Sequence, residues 1–429
     1  MRLLTFIAFM REIRKANPDL ERIQSMGLLA VKIGQILALR SDLLSPETCQ
    51  KLQNLYQAAT PIPPEDSLSL IRAHAPPAFH ERVIDLEPVP FAAASVGQVH
   101  RARLNTGERV VVKVLKQEFE ARFRKDLKRM RRWIRIGLTL RPRLKRVGNP
   151  DGLLAHIEDY TLRELDLRNE LEGRQMLIDE AARIADGFPM PRLAFPEVHP
   201  ELSSSKVLVM EEVIGPTIEE RLADKSLAWD DLLQLFRIHG AFMFGVGTFH
   251  GDLHPGNAIL REDGTFVFID TGAISTASER VRAALFGFFF HLAKGNLEGA
   301  FEAMLHMADE PVTGARRDRY MADMHELYDG FVGTTVSETS LTQQMMRTVR
   351  AAVLAGCAFG EDAFPIIRSL MYMDGMVLRG HPEVDLISSM GPYLDEFSAI
   401  VPDALPSHVR KSVRKETAVY TTGEAVPTP

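Results

Sequence analysis

The run Phe249-His250-Gly251-Asp252-Leu253-His254-Pro255-Gly256-Asn257 constrains this chain more than any other stretch. Pro255 and Gly256 break helices and central strands alike, so the segment must be a loop. Two short apolar strands are expected next, from Asn257 to Arg261 and from Thr265 to Ile269, around the turn Glu262-Asp263-Gly264. Asp270 then opens a second turn, continued by Thr271 and Gly272. Asp252 and Asn257 lie five residues apart, and Asp270 follows thirteen residues after Asn257. The Asp252 carboxylate can reach an acceptor hydroxyl, while the Asn257 amide oxygen and the Asp270 carboxylate suit a magnesium ion, whose shell phosphate oxygens and waters complete. His250 and His254 also permit a zinc-hydrolase reading as an HxxxH pair, although a loop does not display both rings as a helix would. His250 is expected instead to brace the loop backbone.

Upstream, Lys113 interrupts the buried strand pattern VVVKV, where an ammonium needs an anionic partner. Before it comes Ala92-Ala93-Ala94-Ser95-Val96-Gly97-Gln98-Val99. This resembles the G-x-G-x-x-G-x-V loop that covers nucleotide phosphates in kinases, with Ala92 and Ala94 in place of the first two glycines and Gly97 and Val99 in step. Alanine restricts the backbone, so a stiffer loop is expected. A strand ending at Leu208 to Gly215 suits an adenine-binding hinge through Met210, Glu211 and Val213. A strand lysine, a loop with Asp and Asn five apart, and a later Asp together form the arrangement of protein-kinase active sites.

The order of elements agrees with that arrangement. Residues 1–80 read as a helical extension. Residues 81–213 read as a β-rich lobe, with strands VGQVHRARL and RVVVKVL, a helical insert over 116–186 broken at Gly148-Asn149-Pro150, and two further strands in PRLAFPEVHPELSSSKVLVMEEV. Residues 214–400 read as a helical lobe carrying the loop, and 401–429 as a tail with a disordered end. The expected fold is therefore α+β and two-lobed, kinase-like. With 45% hydrophobic and 25% charged residues, disorder of the whole chain is excluded. Cys49 and Cys357 offer neither zinc spacing nor a disulfide framework, which points to a cytoplasmic setting. No run reaches the roughly 18 apolar residues that span a bilayer.

Charge is unevenly spread. Between Lys116 and Arg146 there are thirteen Lys and Arg against three Asp and Glu, in a chain of net charge −6. Such a stretch is either a solvated helix face or a basic surface for anionic membrane lipid. Nucleic acid is not expected as a partner, because aromatics beyond Phe119, Phe123 and Trp133 are missing. The opening MRLLTFIAFMREIRK lacks a small-residue cleavage site and reads as a packed first helix or an amphipathic foot.

Further motifs resemble the UbiB/AarF family of atypical kinases over about residues 20–400. Lys32-Ile33-Gly34-Gln35 resembles its KxGQ motif, PFAAASVGQVHRA its alanine-rich loop, and Glu164-Leu165-Asp166 its ExD motif. HGDLHPGN is similar to its HADPHPGN loop, and Asp270-Thr271-Gly272 to its DFG. The resemblance implies that ATP or ADP and Mg2+ are bound. Lys113 would pair with Glu170 and the phosphates. Asp252 would be the catalytic aspartate, and Asn257 and Asp270 the metal ligands. Lys32 and Gln35 would cover the nucleotide and meet Glu164 and Asp166. It also implies ATPase activity or phosphoryl transfer to a lipid or small molecule, linked to quinone metabolism at membranes, above ordinary protein phosphorylation. Two alternatives stand beside it: a phosphotransferase of the aminoglycoside/choline kinase type, and a nucleotide-binding regulator with little turnover. Thr271 departs from the DFG phenylalanine, and no C-terminal membrane span is evident, unlike some bacterial relatives.

Overall fold

The computed structural model describes residues 3–38, 44–56, 61–93, 96–116, 119–140, 150–359, 363–398 and 400–401. Ala94 and Ser95, residues 117–118 and 141–149 of the basic stretch, and the tail from 402 onward lie outside the described residues. The strands are β1 (Val83–Ile84), β2 (Ala92–Ala93), β3 (Gly97–Leu104), β4 (Arg109–Leu115), β5 (Leu193–Ala194), β6 (Val207–Glu211), β7 (Thr248–His250), β8 (Ala258–Leu260), β9 (Phe266–Phe268) and β10 (Ile274–Thr276). The chain divides into two units, one of residues 1–174, 196–213 and 270–273, the other of residues 175–195, 214–269 and 274–429.

The first unit is built on an antiparallel sheet in the order β1-β3-β4-β6, with β2 paired to β3. Gly107, at φ +92°, makes the turn between β3 and β4 at a backbone angle that a side chain would resist. The β-branched run of β4 is buried on both faces, as a central strand must be. Val110, Val112 and Val114 pack with Ile71 and Phe79 from helices Pro64–His74 and Pro77–Arg82. Val111 and Leu115 pack on the other face with Leu165, Leu167 and Met210. The two-residue period of a strand puts Lys113 on that second face.

A third apolar cluster joins the N-terminal helices to the basic insert. Phe9, Ile23, Leu29 and Ile33 pack against Phe123, Leu127 and Met130 of helix Phe119–Leu140 and Ile157 of helix Pro150–Glu164. Spacings of four and three residues set Phe123, Leu127 and Met130 on one stripe. The opposite face exposes Arg122, Lys125, Lys128, Arg132 and Arg135.

The second unit is mostly helical. Its core centres on Phe286, Phe288 and Phe290 of helix Glu279–Ala293, with Phe244, Phe301, Tyr320 and Tyr328 around them. Two small sheets lie within it: β7 with β10, antiparallel, and β5-β9-β8, in which β5 and β9 are parallel.

Two expectations need correction. The break expected at Gly148-Asn149 lies outside the described residues, and the insert over 116–186 is interrupted where residues 165–167 leave the helical path between Glu164 and Arg168. The strand expected near Leu193 does not form a hairpin with β6. It is two residues long, joins β9, and leaves only a single bridge, Val198 to Met210. Pro191, Pro196 and Pro200 remove the donors that a longer strand needs.

Candidate active site

In the first unit, Lys113 is the centre of a buried ion cluster. Its Nζ donates to Glu170 Oε1 at 2.5 Å and to Asp270 Oδ2 at 2.9 Å. Strand β4 supplies the lysine, the first turn of helix Arg168–Ile184 supplies Glu170, and the turn after β9 supplies Asp270. Burial alone would lower the Lys113 ammonium, but the charges of Asp270 and Glu170 outweigh it, and its pKa is raised. Glu170 is raised to about 7, first by burial and then by the charge of Asp270, with Glu164 adding to it and Lys113 opposing. One cation thus faces two carboxylates, and burial beside Asp270 favours the protonated form of Glu170.

Lys32 is 3% exposed and forms an ion pair with Glu164, its ammonium also lying 5.2 Å from the Tyr160 ring centre. Gln35 is buried and donates from Nε2 to the Leu55 carbonyl at 3.1 Å. Asp166 does not join Lys32. Arg168 takes it through hydrogen bonds from Nε and Nη2 and from its backbone N–H, and these hold the Asp166 carboxyl below its usual range. Asp166 instead lines a polar cavity of about 380 Å³ with Arg124, Arg163, Arg168 and Lys206.

Ala92 and Ala93 pair with Val99 and Gln98 across β2 and β3. Val99 lies opposite Lys113, and Val96 is buried with its carbonyl accepting from Lys116 N–H at 2.9 Å. A Cβ on Gly97 would approach the Val114 carbonyl to 3.2 Å, so the strands close tightly there. Met210 is buried opposite Val111, Glu211 accepts from Glu197 N–H at 3.1 Å, and Val213 is half-buried.

Two features of this unit escaped sequence reasoning. Gln98 is fully buried. Its Oε1 accepts from Ile62 N–H and its Nε2 meets His100 Nε2, both at 2.9 Å. His100 Nδ1 in turn meets the Glu87 carbonyl at 2.9 Å, which assigns the ring proton to Nδ1. The relay ties the segment after the helical extension to the base of the alanine-rich loop. The second feature is Thr271, whose hydroxyl donates to the Glu170 carbonyl at 2.7 Å. Gly272 packs so closely that a Cβ would stand 2.9 Å from Glu170 Cγ.

In the second unit, the loop after β7 secures itself. His250 Nδ1 accepts from Asp252 N–H at 3.2 Å, and His254 Nδ1 accepts from Gly256 N–H at 3.1 Å. Asn257 Nδ2 donates to the Asp252 carbonyl at 2.9 Å, and His254 N–H donates to the same carbonyl at 2.7 Å. Burial lowers the His254 pKa, consistent with a neutral, accepting ring. Behind the loop, burial and the neighbouring His250 push His239 down to about 3. The Asp252 carboxylate accepts at Oδ1 from the Tyr372 hydroxyl at 2.7 Å. Tyr372, 120 residues further along the chain, was not singled out from sequence. Among the described residues no group of three His, Cys, Asp or Glu is placed to hold a metal ion.

A family model described as ABC1 atypical kinase-like domain matches residues 54–304. A "Probable protein kinase UbiB" of Azotobacter vinelandii is 26% identical over 388 residues, covering 87% of this chain and 70% of that protein. A protein of the same name from Glaesserella parasuis is 26% identical over 406 residues, covering 87% and 69%. A solved structure from Mycobacterium tuberculosis, described as a complex with erythromycin, superposes with a TM-score of 0.53 at 20% identity, covering 87% of this chain and 92% of that one. At that identity the likeness concerns the fold, and the fold is the kinase-like α+β one. With more than half of its length matched, this chain belongs to the ABC1 family of atypical kinase-like proteins, the UbiB/AarF group.

Proposed function

We propose that this chain binds Mg-ATP and hydrolyses it or transfers its terminal phosphoryl group to a lipid or small molecule. The observation that carries the reading is the buried cluster of Lys113 with Glu170 and Asp270, one cation against two carboxylates. A buried site with surplus negative charge and a fixed ammonium suits a divalent cation carrying phosphates. Lys113, oriented by Glu170, would take phosphate oxygens, and by the family resemblance Asp270 and Asn257 are the residues that would hold the metal. Bound Mg2+ would offset the charge of the phosphates and stabilise the leaving group. Asp252 accepts the proton of the attacking hydroxyl or water. Lys32 and Glu164 cover the nucleotide, and a quinone-type phenol or isoprenoid lipid is the acceptor class that the family resemblance favours.

The test is phosphate release from Mg-ATP by wild type and Asp252→Asn, with and without anionic liposomes and a quinone-precursor phenol. Turnover that rises with lipid or phenol and vanishes in the variant supports the reading. Nucleotide binding with no release under any condition favours the regulator.

Peripheral contact with an anionic bilayer, from the cytoplasmic side, is proposed on a separate observation. Arg122, Lys125, Lys128, Arg132 and Arg135 have no ion pair among the described residues, and Leu3, Leu4 and Ile7 expose apolar surface on a helix sharing the same core cluster. Basic side chains beside exposed apolar ones suit an interfacial surface. Among the described residues no helix is long and apolar enough to cross a membrane. Cosedimentation with anionic vesicles that fails to weaken with salt, or does not occur, would return this face to solvent.

A further inference from the structure

The Asp252 backbone is fixed by its own loop, through His250, His254 and Asn257. Its carboxylate is not. Among the described residues, the side chain bonded to that carboxylate is Tyr372, which belongs to helix Ala363–Gly380. A carboxylate on an otherwise free side chain rotates, and a base must lie within hydrogen-bond reach of the proton that it removes. We propose that Tyr372 is a positioning residue for phosphoryl transfer, holding Asp252 Oδ1 so that Oδ2 faces the acceptor.

The surroundings of Tyr372 suit that role. The His254 ring, itself held by Gly256 N–H, stands edge-on to the tyrosine ring at 5.5 Å and 89°. The helix that carries Tyr372 is anchored at two points beyond it. Two residues on, Asp374 is 3% exposed and accepts from the Ser340 hydroxyl and the N–H groups of Leu341 and Thr342. Seven residues on, Arg379 makes a two-pronged pair with Glu219 at 2.7 and 2.8 Å. The phenol is therefore delivered by a fixed rail rather than by a mobile loop. A phenol also differs from a lysine in the same place, because it orients the carboxylate without cancelling its charge. Catalysis gains when such a group is set before the reaction begins.

This inference rests on the reading of Asp252 as the catalytic-loop carboxylate, and the experiment separates the two. Phosphate release from Mg-ATP is measured for the full chain, Asp252→Asn, Tyr372→Phe and Tyr372→Leu, with KM and kcat resolved. Loss of a hydrogen bond to a charged group should lower kcat about ten- to a hundredfold in Tyr372→Phe, with KM for ATP unchanged. Tyr372→Leu should lose as much. If Asp252→Asn is inactive while Tyr372→Phe matches wild type, the positioning role is overturned and the function stands. Loss in Tyr372→Leu alone reduces Tyr372 to packing against His254 and also overturns it. If wild type releases no more phosphate than Asp252→Asn, the catalytic reading of Asp252 fails, and this inference with it.

Discussion

Two clusters, one in each unit, are built on opposite electrostatic plans. Around Lys113 the contacts are ion on ion, buried at Glu170 and partly exposed at Asp270, with one carboxylate in excess. Among the described residues, the partners of Asp252 are an imidazole, a backbone N–H, an amide and a phenol. The first cluster carries surplus negative charge that a proton on Glu170 or a bound cation can balance. The second is finished by its own hydrogen bonds and needs nothing added to hold its shape. The contrast separates a ligand-collecting device from a proton-accepting one, and it says where each should fail.

The largest effects should come from removing one carboxylate from each plan. Asp252→Asn should lower phosphate release by about 10²–10⁴ while leaving nucleotide affinity intact, since it takes away a proton acceptor and little else. Asp270→Asn should instead abolish magnesium-dependent nucleotide binding in a calorimetric titration. Equal behaviour of the two variants would erase the distinction.

Lys113→Met attacks the charged plan directly. It leaves Glu170 and Asp270 without their cation, and breaking a buried ion pair this way should destabilise the protein by about 3–5 kcal/mol in urea unfolding. A loss comparable to that of an exposed surface pair would mean that the cluster is far wetter than its burial implies.

A pH series sharpens the comparison further. Glu170 moves from 4.5 to about 7 on folding, so the folded chain without ligand holds a proton that the unfolded chain releases. Its stabilising contribution is complete below 4.5 and is lost as pH rises through 7. Glu170→Gln should flatten the stability profile across that window; a profile identical to wild type would leave the surplus charge elsewhere. The smallest effect belongs to Thr271→Val, which removes one hydrogen bond to the Glu170 carbonyl and should cost about 1 kcal/mol in thermal or urea unfolding.

Much of this was legible in local sequence. A lysine inside VVVKV must find anions, and Pro255-Gly256 must make a loop, because each constraint acts within a few residues. What was not legible depends on distant or competing partners. Asp166 reads as a companion of Lys32, but Arg168, two residues on, captures it through hydrogen bonds from both its backbone N–H and its guanidinium. Tyr372 sits in a helix whose apolar pattern announces only core, and nothing within its own turn points to Asp252. The strand near Leu193 looked long because its residues are apolar, whereas the prolines around it set its length. The alanine-rich loop is only partly placed, since Ala94 and Ser95 lie outside the described residues.

Thr271 has one more consequence, for chemical probes. In protein kinases a phenylalanine at this place packs or withdraws, and its packing sets active and inactive states. Here a small hydroxyl is bolted to the Glu170 carbonyl, and Gly272 lies against the same glutamate. No bulky ring exists to be ejected, so inhibitors that win selectivity by filling the space behind a displaced phenylalanine should gain nothing on this protein. Compounds seeking discrimination have to find it elsewhere, in the stiff alanine-bearing strand or beside the Lys32–Glu164 pair.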